Sequence, residues 1–160
     1  MTKTNAMRRL DAAKIKYEVK EYEVDENDLS GTHIAEQIGL PFEQVFKTLV
    51  TTGSKGICVF VVPVAQELDL KKAAKVSGQK YVEMLHQKDL LATTGYIKGG
   101  CSPIGMKKLF PTFIDKSREN FDSIIFSGGK IGKQVQVGVK DVVNLTRAKL
   151  EFICKEEPCL

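Results

Sequence analysis

Val45-Phe46-Lys47-Thr48-Leu49-Val50-Thr51-Thr52-Gly53-Ser54-Lys55-Gly56-Ile57-Cys58-Val59-Phe60-Val61-Val62 is the stretch that decides the fold. Val45–Val50 is rich in strand formers, Gly53–Gly56 carries turn residues, and Gly56–Val62 is an apolar run that reads as a core strand. Two such runs across a short glycine turn predict a β-hairpin. One residue breaks the apolar pattern. Lys47 must snorkel, pair with an acid or line a pocket. It reads either as the outward face of an edge strand, where lysine discourages aggregation, or as a cation aimed into a cleft.

Upstream of the hairpin, Asn5–Ala13 has Met7 and Leu10 on one helical face. Lys16–Val24 alternates as a strand, with Tyr17 and Val19 on one parity and Tyr22 and Val24 on the other, which predicts a bulge or bend. Glu26–Ser30 reads as a loop. Thr32–Ile38 reads as a helix with Thr32 as N-cap and Gly39 closing it, and Pro41 as the opening of another short helix. Downstream, Asp69 caps a helix holding Leu70, Ala73, Ala74 and Val76, and His86–Thr93 forms a helix ended by Gly95. Phe113–Asp115 and Ser123–Phe126 are short strands. Val135, Val137 and Val139 alternate with Gln134, Gln136 and Gly138 as a half-buried strand. Asp141 reads as the cap of a last helix, Val142–Thr146, and Leu150–Ile153 as a short final strand. Strands and helices interspersed without regular β-α-β repeats predict an α/β fold of the α+β type. The expected form is a mixed, partly closed sheet with peripheral helices, in one domain spanning residues 1–160. No strand is followed by G-x-G-x-x-G and no Walker-type loop occurs, so a nucleotide-binding reading is poor.

Composition narrows the function. Of 160 residues, 42% are hydrophobic and 28% charged, which is ordinary globular usage. The longest apolar run, Ile57–Val64, falls far short of the ~20 residues of a membrane span. The start, Met1-Thr2-Lys3-Thr4-Asn5, has no apolar signal core behind it, so a cytoplasmic protein with no membrane partner is expected. Cys58, Cys101, Cys154 and Cys159 form no C-x-x-C pair, and the two histidines lie far from metal-ligand spacing; reduced thiols, no metal and no cofactor are expected. The formal charge of +4 permits weak phosphate binding without requiring it.

Two glycine-rich segments carry the chemistry. Gly95-Tyr96-Ile97-Lys98-Gly99-Gly100-Cys101-Ser102-Pro103-Ile104-Gly105 allows unusual backbone angles, close ligand approach and N–H groups converging on one oxygen; as a bland alternative it is a tight connection. Cys101 lies inside it, but neither His33 nor His86 stands in a recognisable relation to it, so it reads as a small pocket or core residue rather than a nucleophile. Ser127-Gly128-Gly129-Lys130-Ile131-Gly132-Lys133 reads either as a generous turn with solvated lysines or as a phosphate clamp. Lys71, Lys72 and Lys75, and Lys107 with Lys108, are solvated faces or RNA contacts. No carboxylate pair and no Ser-His-Asp arrangement emerges, so an enzyme built from these residues works through positioning and backbone electrostatics.

From about Thr4 to Phe152, these motifs in this order resemble the YbaK/EbsC-type deacylases, related to the editing domain of bacterial prolyl-tRNA synthetases. The resemblance rests on Val45-Phe46-Lys47-Thr48-Leu49, Thr94-Gly95-Tyr96 through Gly105, and Ser127-Gly128-Gly129-Lys130. It implies a mixed, barrel-like sheet surrounded by helices and hydrolysis of the ester between a wrong amino acid and a tRNA 3′ end. The expected substrate is Cys-tRNA(Pro), with Cys-tRNA(Cys) in addition, and the expected partner is prolyl-tRNA synthetase. It implies that Lys47 contacts the 3′-terminal region and that the backbone of Gly99, Gly100, Cys101, Ser102 and Pro103 holds the aminoacyl carbonyl. Tyr22, Thr48 and Asp141 would line the pocket, and Ser127, Gly128, Gly129 and Lys130 would border the terminal adenosine. The substrate's own thiol would attack the ester. Related members often carry arginine after Ser-Gly-Gly-Lys, where this chain has Ile131, so a phosphate contact from that position does not carry over. Alternatives are a deacylase for another ester such as Ala-tRNA(Pro), or a non-catalytic RNA- or synthetase-binding module.

Overall fold

A computed structural model of the chain describes residues 2–23, 31–39, 41, 43–116 and 121–156. The expected loop at Glu26–Ser30 and Cys159 fall outside these residues, as does the capping side chain of Thr32. In chain order the elements are α1 (Asn5–Ala12), β1 (Tyr17–Glu21), α2 (Gly31–Ile38), β2 (Phe46–Gly53), β3 (Cys58–Pro63), α3 (Leu70–Ser77), β4 (Val82–Met84), α4 (Gln87–Thr94), β5 (Thr112–Asp115), β6 (Ser123–Lys130), β7 (Lys133–Gly138), α5 (Val139–Thr146) and β8 (Lys149–Glu151).

The expected hairpin forms. β2 and β3 pair antiparallel from Phe46↔Pro63 to Thr51↔Cys58, and the turn closes where the Gly56 N–H donates to Gly53 O at 3.1 Å, with Gly56 at φ +108°. β3 is buried along its whole length and lies at the middle of a five-stranded sheet, order β4-β2-β3-β5-β8, in which β5 and β8 run parallel to it. A second, three-stranded sheet has the order β1-β7-β6, all antiparallel.

The two sheets do not close into the barrel-like form expected. Among the described residues they meet at one parallel bridge, Val45↔Ile125, secured by the Ile125 N–H donating to Gln44 O at 3.0 Å. Past that bridge β6 suffers a register shift between Ser127 and Lys130. Such a bulge bends and twists a strand, so β6 leaves β2 and no continuous ladder joins the sheets.

The main core lies between the sheets: Phe46, Val59, Val61 and Ile114 from one, Phe126, Val135 and Val137 from the other, sealed by Ala6, Met7 and Leu10 of α1. Thr4 caps α1 by accepting from the Met7 N–H at 3.1 Å. The opposite face of the five-stranded sheet packs Phe60, Val62, Phe113 and Ile153 under α3, with the Phe60 and Phe113 rings stacked at 5.3 Å. As expected, Asp69 caps α3 by accepting from the Lys71 and Lys72 N–H groups, and Gly95 (φ +88°) ends α4.

Three local readings change. Pro41 starts a turn, closed by the Gln44 N–H to Pro41 O at 3.0 Å, rather than a helix. Ser127–Lys130 continues β6, and only Ile131 and Gly132 turn the chain into β7. α5 begins at Val139, whose N–H donates to Asp122 O at 2.8 Å; this puts Asp141 inside the first turn, with no side-chain cap bond at Gly138. There its carboxylate still favours the helix N-terminus through the dipole.

Candidate active site

The site begins as an unpaired strand edge. β4 pairs only with Thr51–Gly53 of β2, so among the described residues Phe46–Val50 has β3 on one side and no strand paired on the other beyond the single Val45–Ile125 bridge. Where β2 and β6 part, a cavity of about 210 Å³ opens. Its polar lining is Lys47 and Thr48 from β2, Lys98, Gly99 and Cys101 from the glycine loop, Ser127 from β6 and Gln134 from β7; Ile34, Val45, Leu49 and Val64 contribute apolar wall.

Strand alternation sends Lys47 and Thr48 to opposite faces. Leu49, on the parity of Lys47, packs on the Phe60–Val62 cluster under α3. Val50, on the parity of Thr48, packs with Tyr96 and Cys101. The cavity therefore reaches round the edge of β2, with the lysine entering from one face and the loop from the other. Lys47 is half-buried, and desolvation pulls its pKa below the usual lysine value, while Cys154 and Glu67 pull it back up.

The loop is held rigidly. The Tyr96 hydroxyl, buried, donates to Ile104 O at 2.6 Å and so clasps the two ends of Ile97–Pro103. Ser102 is fully buried, and its Oγ accepts from the Ile104 N–H at 3.3 Å. Gly99 adopts φ +85°, which favours glycine. Gly100 packs on the β6–β7 turn: a Cβ there would lie 3.2 Å from the Ile131 nitrogen. Its N–H is committed, donating to Ile97 O at 3.0 Å, whereas the N–H groups of Gly99 and Cys101 meet no backbone acceptor among the described residues. Burial pushes the Cys101 thiol up to about 12, against a smaller downward pull from Thr94. It is a neutral thiol at physiological pH.

The remaining expected residues distribute as follows. Ser127 Oγ accepts from the Gly129 N–H at 3.1 Å. Gly128 and Gly129 sit against α1 and the loop rather than on the cavity lining: Gly128 O accepts from Thr4 Oγ1, and a Cβ at Gly129 would lie 3.1 Å from both Thr4 Cβ and Tyr96 Cε1. Lys130 is exposed at the hairpin end. Pro103 lines a separate cavity of about 240 Å³ with Arg9, Lys107 and Lys108. Asp141 is exposed on α5 and lines neither cavity. The Tyr22 N–H donates to Gly132 O at 3.0 Å; just past the end of β1, it has the parity of Lys20, which pairs with Gln134. Of the polar cavity residues, two were not among the expected site residues, Lys98 and Gln134. Lys98 had a signal, its place inside the glycine loop. Gln134 had none beyond the polar parity of its strand.

Among the described residues, three buried side-chain polar atoms lack a hydrogen-bond partner: Tyr22 Oη, Thr48 Oγ1 and Gln134 Oε1. Thr48 and Gln134 line the cavity. Buried polar atoms are normally satisfied, and two of these three exceptions belong to residues lining one cavity, where a ligand could complete them.

Residues 30–145, which hold β2, the glycine loop and the β6–β7 hairpin, match the model of the aminoacyl-tRNA editing domain. The chain belongs to the aminoacyl-tRNA editing domain family. Tyr22 and α1 lie outside the matched segment. This editing-domain chain is 49% identical over 156 residues to EbsC of Enterococcus faecalis, a protein named for Cys-tRNA(Pro)/Cys-tRNA(Cys) deacylation, covering 97% of this chain and 95% of that one. In fold it is similar to the crystal structure of a protein titled as a trans-editing enzyme for prolyl tRNA synthetase (TM-score 0.81, 23% identity, 98% of this chain and 100% of that one). A crystal structure of a hypothetical protein superposes with TM-score 0.85 at 16% identity, over 95% of this chain and 100% of that one.

Proposed function

We propose that this editing-domain protein deacylates mischarged tRNA, with Cys-tRNA(Pro) as its principal substrate and Cys-tRNA(Cys) as a second. The observation that carries the reading is the cavity itself. It combines loop N–H groups at Gly99 and Cys101 that meet no backbone acceptor among the described residues with the cation of Lys47, while the thiol of Cys101 is held protonated. The ester carbonyl oxygen sits on those N–H groups, which strengthen their hold as negative charge develops on it. Lys47, entering from the other face of β2, takes the anionic 3′-terminal region of the tRNA. No carboxylate or histidine is among the described lining residues, so the nucleophile comes with the substrate. Its thiol attacks the ester carbon: the S–C bond forms, the C–O bond to the ribose breaks, and the thiol proton passes to the departing ribose oxygen. The products are free tRNA and a cysteine thiolactone, which water opens. Lys47 and Lys98 favour the thiolate, since neighbouring cations depress a thiol's pKa.

The net charge of +4 gives weak, salt-sensitive tRNA affinity. Recruitment by prolyl-tRNA synthetase in the cytoplasm supplies the missing affinity, and co-purification with and without tRNA tests it. The catalytic reading is tested by following ester loss from cysteinyl-tRNA(Pro). The wild type accelerates it over buffer, and Lys47→Ala abolishes turnover while the circular dichroism spectrum is unchanged. A wild type no faster than buffer refutes the activity; an active Lys47→Ala refutes the role of the lysine.

A further inference from the structure

Gln134 is a glutamine on the polar parity of β7, yet it is only 4% exposed. It pairs across the sheet with Ser127 and lines the cavity, and its Oε1 has no hydrogen-bond partner among the described residues. Thr48 Oγ1, in the lining of the same cavity, is likewise buried and unpartnered. Leaving such atoms unsatisfied is costly unless a ligand completes them.

The Gln134 amide oxygen can only accept, so the ligand group must bring it a hydrogen, while the Thr48 hydroxyl can donate or accept. With the ester carbonyl on the Gly99 and Cys101 N–H groups, the nearest polar substituent is the α-amino group, attached to the carbon next to the carbonyl, so it necessarily enters the same cavity. The amine lies on the acyl side of the ester, where the carbonyl is held, whereas the ribose 2′-hydroxyl lies on the leaving-group side. The charge of the cavity agrees: Lys47 and Lys98 are among its lining residues and no carboxylate is among those described. An α-amino group ordinarily loses its proton near pH 8, and two nearby cations lower that further. The group therefore binds as a neutral amine, for which an uncharged amide oxygen is a better mate than a carboxylate would be.

We propose that Gln134, with Thr48, holds the substrate's α-amino group and so fixes the aminoacyl chain for attack. This rests on the deacylase reading above. The terminal torsion of glutamine is broad and roughly two-fold, so the amide turns its oxygen to the amine without backbone movement. Gln134 is a positioning residue: it acts by orienting the acyl group, and the carbonyl and thiol react elsewhere.

The test compares two esters on tRNA(Pro), cysteinyl and its deamino analogue 3-mercaptopropionyl, with each enzymatic rate divided by the spontaneous hydrolysis rate of the same ester. Wild type loses about tenfold to a hundredfold in kcat/KM when the amino group is absent. Gln134→Leu loses a similar factor on the cysteinyl ester and loses nothing further on the deamino ester. Gln134→Glu, which keeps an acceptor but is the poorer mate for a neutral amine, restores only part of the discrimination. The Tm of Gln134→Leu stays at or above that of wild type. Equal losses by Gln134→Leu on both esters, or a drop of several degrees in Tm, make the residue structural and overturn the proposal. So does a wild type indifferent to the amino group, or a loss of coupling that appears only with tRNA ending in 2′-deoxyadenosine, which assigns the amide to the ribose. A wild type inactive on both esters overturns the deacylase reading beneath it, a result distinguishable from the others.

Discussion

Tyr96→Phe removes one oxygen and tests whether the glycine loop is held by a single clasp. The Tyr96 ring is buried and packs with Val50 and Cys101, and the hydroxyl donates to Ile104 O at 2.6 Å. Burial pushes its pKa up to about 12, so it is a neutral donor at any working pH. Phenylalanine keeps the ring and its packing but strands the carbonyl of Ile104, itself only 2% exposed. Leaving a buried acceptor unpaired costs about 1–3 kcal/mol. For a domain of this size that corresponds to a fall in Tm of roughly 3–10 °C. Ile104 also follows directly on the Gly99–Pro103 segment, so the loss loosens the loop whose N–H groups are proposed to receive the ester. Deacylation measured with enzyme in excess over cysteinyl-tRNA(Pro) is expected to slow by at least about tenfold, since removing a well-aimed oxyanion donor costs more than that. Differential scanning fluorimetry and single-turnover kinetics on the same preparation separate the two effects. An unchanged Tm together with an unchanged rate would refute the idea that this hydrogen bond sets the loop.

Cys101→Ser keeps the backbone N–H and removes a thiol that burial already holds protonated, so deacylation falls by less than about tenfold. Loss of a protein nucleophile costs several orders of magnitude, and a fall of that size, measured with the same ester assay, would reinstate Cys101 as the nucleophile. Stability also has an alkaline limit. Cys101 and Cys154 are pushed from 9.0 up to about 12, and Tyr96 from 10.0 up to about 12, chiefly by burial. The folded protein keeps these protons where the unfolded chain releases them, so their contribution is full below about pH 9 and is lost as pH rises from there towards 12. Tm measured from pH 7 to 11 stays flat and then falls above about pH 9, and a Tm that holds level to pH 11 contradicts the burial of these groups.

Much of this fold was legible because it rests on local physical signals. The glycine turn at Gly53–Gly56, the cap at Asp69 and the stop at Gly95 each report a backbone need that the chain satisfies close by. The cavity was legible only where side chains looked out of place, as Lys47 did in an apolar strand. Gln134 did not look out of place. Alternation with Val135 and Val137 says that one face of β7 meets a core; it does not say whether the other face meets water or a cavity. The same limit explains the sheets. Alternation gives strands, but closure depends on where β6 bends, and that bend lies at a bulge seventy-odd residues beyond the end of β2. Asp141 failed for a different reason: an acidic residue three positions into a helix and one at its cap differ only by where the first turn starts, and the Val139–Asp122 hydrogen bond decides that from outside the helix.

The pairing of Lys47 with Thr48 follows from the same strand geometry. The Leu85 N–H donates to Val50 O, so even-numbered residues of β2 turn their peptide groups away from β3. Thr48 therefore presents both its backbone edge and its hydroxyl near the gap beside β6, while Lys47 donates to β3 through its backbone and sends only its side chain round from the other face. A strand edge left open is ordinarily a hazard for aggregation. Here the short β4 stops before reaching it, and the glycine loop on one side and the Val45–Ile125 bridge on the other narrow it to a cavity of about 210 Å³. Consecutive residues are what such a place requires: one strand edge can serve both walls of a cavity only if neighbours in sequence divide its two faces between them. Exchanging the two residues would put the cation against Cys101 and the hydroxyl under α3, and the site would lose both functions with its composition unchanged.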